Sequence, residues 1–159
     1  ALGGRHSLKV TDSKDLTPTW EPHFYYGPHF TGGVIRQSFD VWMTPNAQFF
    51  TEWRDSGAYP RNVGPSVRFD GNGTVSVAGR KLAEFPAETW LHVEIQAALG
   101  DNQPKTFTLL LKPADSEEQT IADLPISGPE FRELHWLGFS STVAADAAYY
   151  LDNLRFSPQ

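Results

Sequence analysis

The chain contains no cysteine, which excludes disulfide staples and thiolate metal sites. It has no apolar run approaching the 18 or so residues that a membrane-crossing helix requires. It also has no cluster of basic residues. Lys and Arg number 13 against 19 Asp and Glu, a formal charge of −6, whereas proteins that neutralise a phosphate backbone gather the opposite balance. A membrane span and a nucleic-acid partner are therefore set aside. Long helical periodicities are scarce too. Aromatics make up 13% of the residues, and 13 Gly and 12 Pro are spread throughout, a composition of many short strands joined by turns.

Several catalytic patterns are missing as well. There is no G-x-S-x-G elbow, and without Cys no thiol nucleophile. The five histidines, His6, His23, His29, His92 and His135, lie in separate segments without H-x-H or H-E-x-x-H spacing, so a zinc site would need distant strands to meet. No glycine-rich loop opens a helix to hold phosphate. DGNG (70–73) lacks the spaced oxygen ligands and closing Glu of an EF-hand, and reads as a turn between two strands.

What is present is alternation. Strand-like runs occur at 6–12, 33–43, 47–55, 65–70, 74–79, 89–99, 106–112, 119–125, 132–141 and 148–156. They predict an all-β, two-sheet antiparallel sandwich occupying residues 1–159 as one domain. In 33–43, Ile35, Phe39, Val41 and Met43 share the core side, while Arg36, Ser38, Asp40 and Trp42 share the other. Val67, Phe69, Val93 and Ile95 point in by the same rule, and Arg68, His92 and Glu94 point out. Short helical turns are expected only within 84–89 and 126–134, both interrupted by Pro or Gly. The opening ALGGRHSLKV has no initiator Met, charged region or apolar signal core, so any targeting signal has been removed or lies upstream and the chain is expected to be an excised piece of a larger protein.

Carbohydrate recognition needs exposed rings to stack on sugars and planar polar groups to bond hydroxyls. Trp20, Tyr25, Tyr26 and Tyr59 fall in Pro/Gly-rich stretches, and Trp42 is outward by register, whereas Trp90 and Trp136 read as structural. Arg36 and Arg68 are outward, with Arg54 as a further candidate, and Arg forks suit carboxylate or sulfate groups on a glycan. Glu52 and His29 complete the candidate carbohydrate-binding set of Arg36, Trp42, Glu52, Arg54, Arg68, Tyr26 and His29. An enzyme acting on polysaccharide is the alternative, drawing on Asp40, Glu52, Asp55, Glu94, Arg54 or His29. The E-x-D-x-x-E pattern of sandwich glucanases is absent. FFTEWRD (49–55) resembles the Arg/Glu strand of alginate-lyase-like sandwiches, but their Gln-Ile-His and Tyr-x-Lys elements are not found.

Taken in order, SLKVTDS, GVIRQSFDVWM, VRFDGNGTVSV, ETWLHVEI, TFTLLLK and YYLDNLRF resemble the concanavalin A-like, laminin G-like jelly-roll modules of secreted bacterial carbohydrate-active proteins. The resemblance implies a lectin-like, non-catalytic module that binds a polysaccharide or oligosaccharide and is tethered to other domains. A structural or protein-contacting role is a third alternative. It also implies that an Asp of the last strand, here Asp152, helps hold a structural calcium ion with groups near the N-terminus, for which Gly4, Asp12 and Asp15 are nearby. Alternation puts Tyr150, Asp152, Leu154 and Phe156 on the core side. A carboxylate there requires a cation, an Arg or several N–H donors; a salt-bridged or hydrogen-bonded surface Asp is the plain alternative.

Overall fold

The computed structural model describes residues 4–55 and 61–159. Its strands are β1 (Leu8–Asp12), β2 (His23–Tyr26), β3 (Gly33–Met43), β4 (Gln48–Arg54), β5 (Val63–Asp70) and β6 (Thr74–Val77). They continue as β7 (Arg80–Glu84), β8 (Leu91–Leu99), β9 (Thr106–Pro113), β10 (Gln119–Pro125), β11 (Trp136–Ser141) and β12 (Ala147–Pro158). All pairings between these strands are antiparallel, in two six-stranded sheets: sheet A in the order β1-β12-β3-β8-β9-β10, and sheet B in the order β2-β11-β4-β5-β6-β7. The expected all-β sandwich is what forms.

Period-two alternation drives the two sheets together. Ile35, Phe39, Val41 and Met43 of β3 are buried as read, as are Val67 and Phe69 of β5 and Val93 and Ile95 of β8. Between the sheets, the Phe49 ring stacks on Phe69 at 4.9 Å and on Tyr149 at 4.3 Å, while Phe39 meets Phe139 edge-on at 5.2 Å. Such pairs add about 0.5–1.5 kcal/mol each beyond the area they bury.

One polar side chain sits on the core register of β3. Gln37 is fully buried. Its Oε1 accepts the indole N–H of Trp53 at 2.5 Å, and its Nε2 donates to Thr51 Oγ1 at 3.0 Å. Gln37 belongs to sheet A and Thr51 and Trp53 to sheet B, so the trio ties the layers through the middle of the core. A second tie joins Asp12 of β1 to Ser141 of β11 by a short hydrogen bond. Tyr149 lies close by, its hydroxyl buried without a hydrogen-bond partner among the described residues. Burial, and then the charge of Asp12, raise its pKa above the ordinary value.

The turn at 70–73 closes the β5–β6 hairpin as expected. Asp70 Oδ1 accepts the N–H of Asn72 at 3.1 Å, and Asn72 Oδ1 accepts that of Thr74 at 3.0 Å. Glycine is required here for close approach: a Cβ on Gly73, whose φ is 94°, would lie 1.9 Å from the Phe85 carbonyl oxygen.

Three expectations are corrected. First, His23–Tyr26 is a strand rather than loop, because β2 completes the edge of sheet B against β11. Arg80–Glu84 likewise pairs with β6. Second, 84–89 and 126–134 contain no helix. Pro86 interrupts the first, and the second is drawn against β5 by Gly128 N–H bonding to the Val63 carbonyl at 2.6 Å. Third, Tyr150 and Asp152 face outward, while Tyr149 and Leu151 are buried. Asn153 adopts φ 51°, and between Asp152 and Arg155 the strand advances three residues while β3 advances two, from Asp40 to Ser38. This bulge flips the register, so Leu154 and Phe156 do pack against the core.

This buried clasp of Gln37, Thr51 and Trp53 gives a direct test. Gln37→Leu leaves the Trp53 N–H buried without an acceptor and is expected to lower unfolding free energy by about 2–3 kcal/mol in urea titrations. Ser38→Ala, on the outward register, is expected to change it by less than about 0.5 kcal/mol. Equal small effects would contradict the role given to the clasp.

Candidate functional site

Alternation along the four strands β2, β11, β4 and β5 sets the outer face of sheet B. The register aligns Tyr25, Gly138, Glu52 and Ser66 in one row, and Trp136 beside Arg54 in the next. On the other side lies a row of His23, Ser140, Phe50, Arg68 and Ser76. The Tyr25 and Trp136 rings stack at 5.7 Å and 27°. The Arg54 guanidinium lies over the Trp136 ring at 4.2 Å, a cation–π contact. Arg54 Nε also donates to Glu52 Oε1 at 2.5 Å, and Ser66 Oγ donates to Glu52 Oε2 at 3.1 Å. A continuous chain thus runs from ring to ring to guanidinium to carboxylate to hydroxyl. Tyr25 is 58% exposed. Beside this chain is a depression of about 300 Å³ lined by Phe50, Glu52, Ser66, Arg68, Ser76 and Ser127 among others.

Gly138 makes the platform possible. A Cβ there would stand 2.2 Å from the Trp136 ring, so the indole lies across the glycine of its own strand. Trp136, read as structural, is half-buried on the outer face. The signal was present in LHWLGFSS: Leu137 and Phe139 are the apolar register, which turns Trp136, Gly138 and Ser140 outward.

The seven candidate binding residues do not converge on one site. Glu52, Arg54 and Arg68 share the outer face of sheet B. Arg36 and Trp42 lie on the outer face of sheet A, on the opposite side of the sandwich. Tyr26 alternates away from Tyr25 and packs on Phe24 and Phe156, at 6.2 and 5.2 Å. His29 Nδ1 is 3.0 Å from His135 Nδ1, and His135 Nε2 is 2.9 Å from Glu133 Oε2. Donation from His135 to Glu133 leaves its Nδ1 to accept from His29. Tyr59 lies outside the described residues.

On sheet A, Asp40 is buried. Its Oδ1 bonds His92 Nδ1 at 2.6 Å, and its Oδ2 accepts Asn153 Nδ2–H at 2.5 Å. His92 Nε2 is 3.1 Å from Glu94 Oε1, which is also ion-paired with Arg36. Burial by itself lowers the His92 pKa, but the hydrogen bonds and charges of Asp40 and Glu94 outweigh it and raise the pKa above 6.5. Burial likewise favours protonated Glu94, yet Arg36 and His92 reverse this and lower its pKa below 4.5.

Asp152 is opposite Asp40 on this face, and its Oδ1 accepts the Asn153 N–H at 2.8 Å. Asp12, by contrast, turns into the sandwich toward Ser141, and in register it is beside Ala147 rather than Asp152. The two carboxylates are on opposite faces of sheet A. Among the described residues, no three His, Asp or Glu side chains are grouped to hold a metal ion. Asp12 is therefore not the companion of Asp152.

No family model and no curated protein matches the sequence. Among solved structures, the chain is similar to a PL-14 alginate lyase from Aplysia kurodai, with a TM-score of 0.62 and 12% identity over 96% of this chain and 83% of that one. It is also similar to the catalytic domain of a glycoside hydrolase family 131 protein from Coprinopsis cinerea, with a TM-score of 0.53 and 15% identity over 96% and 70%. The fold is a concanavalin A-like jelly roll. A third similar jelly roll is the alginate lyase Aly36B, with a TM-score of 0.51 and 10% identity over 96% and 82%. At these identities the likeness is one of fold.

Two predictions arise from the charged groups of this jelly roll. The His92 ring resonances are expected to titrate in NMR with a midpoint above 6.5, and Asp40→Asn is expected to bring it down. Because the folded pKa is the higher one, the stability linked to His92 is fully present below about pH 6.5 and is lost as pH rises through the folded value. A midpoint at or below 6.5 contradicts the geometry. Separately, the calcium role expected of Asp152 is tested by melting the protein with calcium and with chelator, and an unchanged melting temperature would rule it out. A calcium-dependent rise that Asp152→Ala abolishes is the result expected of an ion at β12.

Proposed function

We propose that this jelly roll is a carbohydrate-binding module that holds a polysaccharide on the outer face of sheet B. The observation that carries the reading is the stacked Tyr25–Trp136 platform with Arg54 and Glu52 continuing from it. The apolar face of a pyranose rests on such rings, and Glu52, Ser66 and Arg68 supply hydrogen bonds to hydroxyls alongside. Arg54 and Arg68 also suit the platform to a sugar carrying a carboxylate. Solved proteins of this fold include alginate lyases, which supports a carbohydrate ligand. Secretion or display at the cell surface is part of the proposal.

The side chain of Glu52 is 12% exposed, held between Arg54 and Ser66, and this favours a second reading as a polysaccharide-active enzyme. Both of its oxygens are engaged, however. Among the described residues lining the depression, Glu52 is the single carboxylate, whereas hydrolysis with a carboxylate pair needs two. Release of oligosaccharide products, lost in Glu52→Gln, would establish the enzyme; binding without turnover supports the module.

Calorimetric titration against neutral and uronate-containing polysaccharides is expected to detect binding that Trp136→Ala weakens at least about tenfold, equivalent to 1.4 kcal/mol. Gly138→Ala is expected to weaken it comparably by pushing the indole off its seat, since the added methyl meets the ring at 2.2 Å. Binding that both substitutions leave unchanged rules the platform out.

A further inference from the structure

The outer face of sheet A carries a pocket of about 420 Å³, lined by Arg36, Ser38, Asp40, His92, Glu94, Asn153, Arg155 and Ser157. Its hydrogen-bonding groups are unevenly used. Asp40 accepts from His92 on one oxygen and from Asn153 on the other, and Glu94 Oε1 accepts from both Arg36 and His92. These acceptors are largely satisfied. The donors are not. Arg155 has no ion-pair or hydrogen-bond partner among the described residues, and the Arg36 side chain, though ion-paired to Glu94, stays 42% exposed. Ser38 and Ser157 contribute hydroxyls beside these two cations.

The β12 bulge builds this wall. By flipping the register it sends Leu154 and Phe156 inward and turns Arg155 and Ser157 toward Ser38 and Arg36, their partners on β3. The bond from Asn153 to Asp40 fixes the left-handed residue in place. Along the chain of contacts Asp40, His92, Glu94 and Arg36, each group restrains the next, so the Arg36 guanidinium is pre-positioned. Next to the pocket, Trp42 and Tyr150 form an aromatic ledge with rings 5.5 Å apart, and Trp42 is held by its N–H bond to the Glu88 carbonyl at 2.7 Å.

We infer that this face is a second glycan site, selective for a sugar bearing a carboxylate, which Arg155 and Arg36 bind while the adjoining ring rests against Trp42 and Tyr150. A free carboxylate matches the donor surplus and the planar guanidinium forks. Sugar hydroxyls match the remaining mixed groups, Ser38, Ser157, Asn153 and Glu94 Oε2. The inference stands on observations independent of the sheet B platform. With both sites filled, one domain holds two chains, or two segments of one chain, on opposite faces of the sandwich.

The test is calorimetry and indole NMR with mannuronate and galacturonate trimers, and with mannotriose as the neutral probe. Two sites per chain are expected for at least one uronate trimer. Arg155→Gln, a change at an exposed side chain without a partner among the described residues, is expected to weaken one site at least tenfold while Trp136→Ala leaves that site intact. Mannotriose is expected to bind it at least tenfold more weakly, and the uronate is expected to shift the Trp42 indole resonance. A single site removed by Trp136→Ala and untouched by Arg155→Gln would overturn the inference while sparing the sheet B reading. Failure of both uronate trimers to bind the sheet A face also overturns it. A single site weakened by Arg155→Gln and untouched by Trp136→Ala would overturn the sheet B reading and leave this one standing.

Discussion

Gln37 stands where every neighbour on its register is apolar, and its amide meets both the Trp53 indole and the Thr51 hydroxyl of the facing sheet. A polar group so placed is costly in any register that leaves it unpaired. It therefore does more than add a hydrogen bond: it selects one alignment of β3 against β4. Since strand side chains alternate, a one-residue slip would exchange the entire inner and outer sets. With Gln37 and Trp53 fixed inward, Arg36, Ser38, Asp40 and Trp42 must face out from sheet A, and Phe50, Glu52 and Arg54 must face out from sheet B. The outward chemistry on both sides of the molecule thus rests on an alignment set inside it.

The two outer faces use that alignment differently. Sheet B joins aromatic surface to a cation, with the close approach of Trp136 to its own strand permitted by Gly138. It offers breadth and stacking. Sheet A instead organises charge. Asp40, His92, Glu94 and Arg36 hold each other in a line, and the bulge at Asn153 places Arg155 beside them. Arg54 and Arg36 show the contrast within one residue type: each is paired with a Glu, but only Arg54 also covers an aromatic ring.

Much of this was legible in the sequence. The alternation of GVIRQSFDVWM gave the correct sides for the named residues of β3, and DGNG marked its hairpin, because both signals are local. Gln37 shows the limit of such signals, since register alone places it inside without revealing its partners. β2 and β7 were missed because short edge strands beside Pro and Gly carry little pattern of their own and form by pairing with β11 and β6. YYLDNLRF misled because strict alternation assumes an unbroken strand. The left-handed Asn153 inserts a residue, so Asp152 and Leu154 lie on opposite faces although they are two apart. The platform required sheet order: nothing in the sequence places Tyr25 next to Trp136, yet the register of β2 on β11 does.

The central claim is that sugars meet this molecule on the outer faces fixed by the buried clasp. Recording the indole N–H resonances during titration with alginate and cello-oligosaccharides tests it most directly, because each indole reports a different layer. The account predicts that the Trp136 resonance moves with saturable dependence on sugar while the Trp53 resonance, sealed against Gln37, stays in place. Saturable binding that leaves Trp136 unmoved would contradict it.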